Sequence, residues 1–342
     1  MKQILVDALN SVTVQDVEIP EPPAGEARVR MIYSGICGSD THAAAGTHAF
    51  LVPPYIPGHE AIGVVDSVGE GVDQALIGKR VMLKPNITCG ECITCKADRS
   101  NACQVLEWIG CDNTGKLPGA MSDYFLAPDD ALYPLDDSIS DEQGVLIECL
   151  ATPIHAVRMA GGVEGKKVAI IGAGTIGVLQ VIAALEAGAE KVVVTDLEET
   201  KRERAVRLGA TGAVDGSAAD FDAQVKEILG GPADVLFDCV TNEASARQWT
   251  KLVRRGSTIC IVGVPAGYYP VPMGEIQDWE LAVQGCANYN ETDVEVAISM
   301  AQKIPADDIV SAVYPVEEGS QAFSEAVKFT SGKVLVKGSA AN

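Results

Sequence analysis

The chain has 342 residues, 47% hydrophobic and 21% charged, a balance that suits two globular domains of ordinary size and excludes a disordered chain. A formal net charge of −21 argues against nucleic acid and anionic membrane surfaces as partners, and no apolar run is long enough to span a bilayer. Ten cysteines, behind an opening MKQILVDALNSVTVQDVEIP that alternates like a strand instead of a signal peptide, imply a reducing, cytoplasmic setting.

Taken in chain order, the first half is broken by Pro and Gly. EIPEPPAGEARV, LVPPYIPGHE, KLPGAMSDYF and LAPDDALYPL separate short apolar runs such as Ala61 to Val68 and Lys79 to Leu83. That pattern predicts a loop-rich, mainly β domain over residues 1–152. From about Thr152 apolar runs alternate with amphipathic stretches, as in βαβ units on a parallel sheet. Strands are expected at Lys167 to Gly172, Lys191 to Asp196, Ala213 to Asp215, Asp234 to Cys239, Thr258 to Val264 and Leu281 to Cys286. Helices are expected at Thr175 to Ala187, Glu199 to Leu208, Phe221 to Leu229 and Glu243 to Arg254. Together they describe an α/β coenzyme domain over 153–288 with a six-stranded parallel Rossmann sheet. The closing segment, 289–342, offers a helix near Asp293 to Gln302 and short strands ending in GKVLVKG. It is too small for a domain and is expected to return to the first one.

Two motifs speak by spacing alone. Cys89, Cys92, Cys95 and Cys103 follow C-x2-C-x2-C-x7-C in a lobe of about residues 86–106, which lets one loop wrap four thiolates around a zinc ion. Such a set leaves no open coordination position, so this zinc is expected to be structural. Further on, Gly172-Ala173-Gly174-Thr175-Ile176-Gly177 follows an apolar run, opens a helical stretch and precedes Asp196 at the end of the next run. This is the full context of a dinucleotide fingerprint, in which Gly172, Gly174, Thr175, Ile176 and Gly177 would meet the pyrophosphate. Asp196 would accept hydrogen bonds from the adenosine ribose and repel a 2′-phosphate, favouring NAD over NADP. Lys201 is near enough in sequence to reach the same ribose, and Val264, closing the fifth expected strand, completes the cofactor-binding set.

Two shorter motifs, Gly35-Ile36-Cys37-Gly38-Ser39-Asp40-Thr41-His42 and Pro57-Gly58-His59-Glu60, are ambiguous singly, because a lone Cys or His is more often a core or surface group. In order with the four-cysteine lobe, VAIIGAGTIG and the closing strands, they make nearly the whole chain resemble the zinc-containing medium-chain dehydrogenase/reductase family, within it the sorbitol and polyol dehydrogenase branch. The resemblance implies a GroES-like β-rich catalytic domain, NAD, and two zinc ions per chain, one catalytic and one structural. It implies that Cys37 and His59 bind the catalytic zinc with Glu60 beside it. The polyol branch supplies a glutamate as third ligand, matched here by Glu148 in Leu146-Ile147-Glu148-Cys149-Leu150, with Cys149 as its rival. Ser39 matches the proton-relay hydroxyl, His42 the solvent-facing end of the relay, and Asp40 a supporting group behind a ligand. Elementary chemistry agrees: a Lewis acid lowers the pKa of a bound hydroxyl by several units, and the alkoxide then expels hydride to the nicotinamide more readily.

The expected reaction is therefore oxidation of a secondary alcohol to a ketone. The resemblance places the pocket at the loop after His42, with His48 and Phe50, near Trp108, and at Asn288 and Tyr289. Sorbitol dehydrogenases carry an arginine where this chain has Asn288. An amide hydrogen-bonds hydroxyls but does not clamp an anion as guanidinium does, so a neutral polyol or sugar alcohol is favoured. The alternatives are an L-threonine 3-dehydrogenase-like or sugar-acid dehydrogenase and, in another class, a non-catalytic NAD-binding protein. By analogy with the family, a homodimer or homotetramer is expected.

Overall fold

A computed structural model describes residues 1–328 and 332–339; within the closing segment, 329–331 and 340–342 lie outside the described residues. The strands run in order β1 (Lys2–Ala8), β2 (Ser11–Asp16), β3 (Glu26–Gly35), β4 (Glu60–Val68), β5 (Arg80–Leu83), β6 (Asn86–Ile87), β7 (Glu107–Trp108), β8 (Tyr124–Pro128) and β9 (Leu132–Pro134). Six more follow, β10 (Lys167–Ile171), β11 (Lys191–Asp196), β12 (Gly212–Asp215), β13 (Ala233–Asp238), β14 (Val253–Ile261) and β15 (Ala282–Gly285), before β16 (Val310–Pro315) and β17 (Lys333–Lys337). The helices are α1 (Gly38–Ala44), α2 (Asp141–Met159), α3 (Thr175–Glu186), α4 (Glu199–Arg207), α5 (Phe221–Leu229), α6 (Glu243–Ala246), α7 (Trp249–Leu252), α8 (Met273–Asp278), α9 (Glu291–Met300), α10 (Ala306–Ile309) and α11 (Gly319–Ala326).

Contacts divide the chain into two compact units, one of residues 1–148 with 297–342 and one of residues 149–296. The first is built on a sheet in the order β16-β17-β3-β4-β5-β9, with β8 also paired to β3. Strand β3 shows why it forms: Ala27, Val29 and Met31, alternate residues, are all fully buried, while their neighbours are half-buried. One edge of β3 is shared. Glu26 to Arg30 pair with β8, and Tyr33 to Gly35 pair with β17, so the last strand of the chain completes a sheet begun near its start. The core beneath joins Ile4, Met31, Leu83, Met121 and Phe323.

The second unit carries a six-stranded parallel sheet in the order β12-β11-β10-β13-β14-β15, the doubly wound order that reverses direction beside β10. Val168, Ala169, Ile170 and Ile171 of β10 are all buried, as a central parallel strand covered on both faces requires. Helix α5 buries Phe221, Val225 and Leu229, one side of an amphipathic helix, and stops at Gly230, whose φ of 72° lies in the left-handed region. All six expected strands are present, most of their ends within a residue or two.

The expected helix from Glu243 to Arg254 is not one helix. It divides into α6 and α7, and Val253 and Arg254 already belong to β14. The cause lies at the end of β13, where buried Asp238 accepts hydrogen bonds from the amides of Val240 and Thr241 and from Trp249 Nε1 at 2.8 Å. Anchoring the fully buried Trp249 there fixes the second short helix separately from the first. The fifth strand starts at Val253 instead of Thr258 and ends before Val264. Helices α1 and α11, unread in the sequence, are short and rich in Gly, Ala and Ser, with little apolar periodicity to mark them.

Candidate metal centres and dinucleotide site

The first donor set is built by the pairing of β3 with β4. Gly35 pairs with Glu60, so Cys37, just beyond the end of β3, and His59, just before the start of β4, fall opposite one another. The ligand atoms of Cys37, His59 and Glu60 all lie within 4.8 Å of one another. His59 is 4% exposed and Glu60 2%. Glu148, on α2, is also buried, and its carboxylate lies within 4.8 Å of that of Glu60, although it does not join Cys37 and His59 in one set.

Around these donors the polar groups are specific. Asp40 is fully buried; its Oδ2 accepts from the Cys37 amide at 3.0 Å, and its Oδ1 faces His59 Nδ1 at 4.0 Å without hydrogen bonding. Burial pushes the Asp40 carboxyl up to about 6. For His59 burial opposes the charged ring, but negative charge on Cys111, Asp40 and Cys37 outweighs it and raises the imidazole well above its ordinary value. A thiol, an imidazole and a carboxylate within this reach fit a metal in donor type. Trp108 lies edge-on to His59, ring centroids 6.2 Å apart.

Ser39 and His42 share one face of α1 by their three-residue spacing. Ser39 Oγ is enclosed and has no hydrogen-bond partner, the state of a hydroxyl that waits for one. His42 is exposed, with Nδ1 2.9 Å from Thr47 Oγ1, which leaves Nε2 toward solvent. Half-buried His48 accepts at Nδ1 from the amides of Phe50 and Leu51, so its proton sits on Nε2. Phe50 is 74% exposed.

The second donor set is local. Cys89, Cys92, Cys95 and Cys103 lie on loops and short 3-10 turns, their sulfurs within 4.8 Å of one another. Separations of 3.4 to 3.9 Å, as for Cys92 to Cys95 and Cys89 to Cys95, match the edge of about 3.8 Å of a tetrahedron with zinc–sulfur arms of about 2.3 Å. The Cys92 and Cys89 amides donate to Cys89 and Cys103 sulfur, and the hydrogen bond with Thr94, then backbone amides, draw the Cys92 thiol down to about 5. The four sulfurs therefore fit a closed zinc site.

The glycine turn of the second unit divides its work as a dinucleotide site should. Gly172 has φ of 95°, which the tight turn needs. A Cβ on Gly177 would lie 1.9 Å from the Gly172 carbonyl oxygen, so only glycine lets α3 pack there, whereas one on Gly174 would meet no protein atom within 4 Å. That open flank at the start of α3, where Thr175 and Ile176 follow, is the space a pyrophosphate would fill. Asp196 accepts from the amides of Ala173 at 2.7 Å and Glu198 at 3.0 Å, which fixes its carboxylate beside the turn. Burial lowers the half-buried Lys201, in part against the pull of Asp196. Val264 lies exposed beyond β14.

Among the residues placed at the substrate, Asn288 is half-buried with φ of 60°, and Tyr289 has no exposed surface and ranks with the largest enclosed side chains. Three features had no sequence signal. Cys111 Sγ lies 3.6 Å from His59 Nδ1; Lys333 is bound to Glu60; and buried His155 meets Asp293 at 2.7 Å, with Arg158 donating to both Asp293 oxygens. A lone cysteine and pairs more than a hundred residues apart leave nothing local to read.

Two sequence patterns match in order, the alcohol dehydrogenase GroES-like domain at residues 23–137 and the zinc-binding dehydrogenase domain at residues 175–303. The chain is 30% identical to sorbitol dehydrogenase of Bacillus subtilis strain 168, covering 96% of this chain and 94% of that one. It is 32% identical to L-galactonate-5-dehydrogenase of Escherichia coli K12, over 94% and 93%. Among solved structures, a Sinorhizobium meliloti 1021 protein described as a zinc-binding dehydrogenase and bound to NADP superposes with a TM-score of 0.90 at 31% identity, over 98% of each chain. Relatives matched over nearly their whole length, on the same two domains and with donor sets that fit the metal, place this chain in the zinc-containing medium-chain dehydrogenase/reductase family, in its polyol dehydrogenase-like branch, as a zinc- and nicotinamide-dependent alcohol dehydrogenase.

Proposed function

We propose that the substrate is a neutral polyol or sugar alcohol, oxidised at a secondary carbon to a ketone with NAD as the hydride acceptor. The observation that carries this reading is the set of half-buried Cys37 with buried His59 and Glu60, with Glu148 beside it, next to an enclosed Ser39 hydroxyl that has no partner. Cys37, His59 and one carboxylate of the Glu60–Glu148 pair would hold the zinc, which when bound supplies a Lewis acid for the substrate hydroxyl. Ser39 Oγ takes the proton that the substrate hydroxyl loses, and His42, three residues on along the same helix face, hands it to solvent. Asp40 holds the Cys37 amide from behind, and the wall of Trp108 limits water at the donors. Gly172, Gly174 and Gly177 would admit the pyrophosphate of a nicotinamide dinucleotide and Asp196 would hold its ribose; when bound, that cofactor would supply the hydride acceptor.

The fixed Asp196 carboxylate supports NAD, although the Sinorhizobium relative holds NADP. A sugar acid is the second reading, favoured by the likeness to L-galactonate-5-dehydrogenase; against it stands Asn288, which lacks the charge to hold a carboxylate. The Cys89–Cys103 lobe would hold a structural zinc. Ten cysteines without a disulfide suit a reducing cytoplasm, and no helix among the described residues is long and apolar enough to cross a membrane. The open edge of β15, with exposed Val283, Met273 and Tyr268 on the same unit, would pair with a second copy of the chain.

The test is reduction of NAD and NADP by the zinc-analysed protein across polyols, inositols, diols, aldonates and L-threonine. Turnover with one class of neutral polyol and NAD, abolished by chelation, is the expected result. Turnover confined to aldonates or threonine would replace the substrate, and two bound zinc ions with no turnover at all would leave it open to the non-catalytic class.

A further inference from the structure

The glycine turn of the second unit is held by a buried cation. Arg204, beside Ala205 on α4, is 8% exposed, a place where a guanidinium is found only when it is paired. Its Nη2 donates to the carbonyl oxygen of Ala173 at 3.0 Å, across 31 residues of chain. Ala173 is fully buried, and among the described residues no other donor reaches that carbonyl. The amide of the same residue donates to Asp196 Oδ2 at 2.7 Å. Both polar backbone groups of the residue between Gly172 and Gly174 are thus fixed by side chains, one cationic and one anionic.

Planarity of the peptide bond turns this grip into an aim. The bond between Ala173 and Gly174 is trans, so its carbonyl and its N–H point in opposite directions. Holding the Ala173 oxygen toward Arg204 therefore turns the Gly174 N–H away from that side chain. Among the described residues this N–H meets no acceptor, and a Cβ on Gly174 would meet nothing within 4 Å, so the amide belongs to the open flank of the turn. We propose that Arg204 is a positioning residue for the cofactor: through the Ala173 peptide it aims the Gly174 amide at the diphosphate of a nicotinamide dinucleotide. The inference rests on the reading of this turn as the dinucleotide site and on neither metal set. With the guanidinium gone, the Ala173 carbonyl is left buried without a donor, the peptide rotates to recover one, and the Gly174 amide leaves the diphosphate.

The test is calorimetric binding to the full-length protein of ADP-ribose, which carries the diphosphate, and of adenosine, which does not. Arg204→Met should raise the Kd for ADP-ribose about tenfold, the loss of one well-aimed hydrogen bond, and leave that for adenosine unchanged. Arg204→Lys, which still carries a donor, should recover most of the loss. Where Arg204→Met does not fold, Arg204→Gln, whose shorter side chain ends before the carbonyl, gives the same comparison. The proposal is overturned when the neutral variant binds ADP-ribose as tightly as the unaltered protein, or when the lysine variant loses as much as the neutral one. It is equally overturned when adenosine and ADP-ribose weaken alike, as a merely structural role would have it. Failure of the underlying reading looks different: the unaltered protein would then bind ADP-ribose no better than adenosine, which removes the dinucleotide site and the proposal with it.

Discussion

The two candidate metal sets make an instructive pair because they use overlapping chemistry for opposite ends. In the lobe, four donors of one kind come from fifteen residues of chain, and their backbone amides point at the sulfurs. Nothing but local loop geometry is needed, and no donor is left over. In the other set, Cys37, His59 and Glu60 are brought together by the β3–β4 register, and Glu148, from α2, stands beside Glu60. There the donors differ in charge and hardness, and unsatisfied or loosely held groups surround them: Ser39 Oγ, Asp40 Oδ1 and the Cys111 thiol. A closed set of identical ligands is suited to holding a loop, and an open, mixed and enclosed set to moving a proton.

Crossed variants break the comparison most directly. Cys37→Ala should lower kcat by about ten-thousandfold, roughly 5 kcal/mol of barrier, and leave nicotinamide affinity and melting temperature nearly unchanged. A variant that keeps a tenth of its turnover would take the first set out of the mechanism. Cys95→Ser should do the reverse. Loss of the lobe metal should cost on the order of 4 kcal/mol and lower Tm by roughly 10 °C, with kcat of the folded enzyme retained. If turnover fell and the melting point held, the roles of the two sets would be exchanged.

The His155–Asp293–Arg158 cluster supplies a reference, a buried polar set of the second unit that needs no metal. Burial raises the Asp293 carboxyl, but hydrogen bonds from His155 and Arg158 outweigh it and leave the group below its ordinary value. A lowered folded pKa gives stability that is complete above the unfolded value of about 3.9 and is lost as pH falls through the folded one. Asp293→Asn should therefore cost about 3 kcal/mol at neutral pH, and the gap to the unaltered protein should shrink below about pH 4 in denaturant titrations. A gap that is flat with pH would remove the charge from the explanation. The smallest effect expected is at Asp196. Asp196→Gly should narrow the preference for NAD over NADP by about 2 kcal/mol, some thirtyfold in kcat/KM, without touching either metal.

What could be read beforehand follows the same divide. The lobe and the glycine turn were legible because each is written in consecutive residues, and the parallel strands because burial on both faces leaves unbroken runs such as Val168 to Ile171. Cys37 and His59 became readable only in company, through a family likeness. Lys333 was not legible at all: it begins the apolar run of β17, and its meaning depends on Glu60, 273 residues away. The false helix over Glu243 to Arg254 failed for a related reason, since the anchor that divides it, Asp238, lies outside the stretch whose periodicity was read.

The strand that completes β3 has one more consequence, in the order of synthesis. Residues 149–296 form a contiguous unit and emerge whole, whereas the unit that carries both metal sets cannot close until residues 333–337 leave the ribosome. For that interval the edge of β3 from Tyr33 to Gly35 stays unpaired and Glu60 lacks its lysine. A nascent chain stalled before Gly332 would thus display an open sheet edge next to a cluster of negative charge, a form for chaperones to hold and proteases to find.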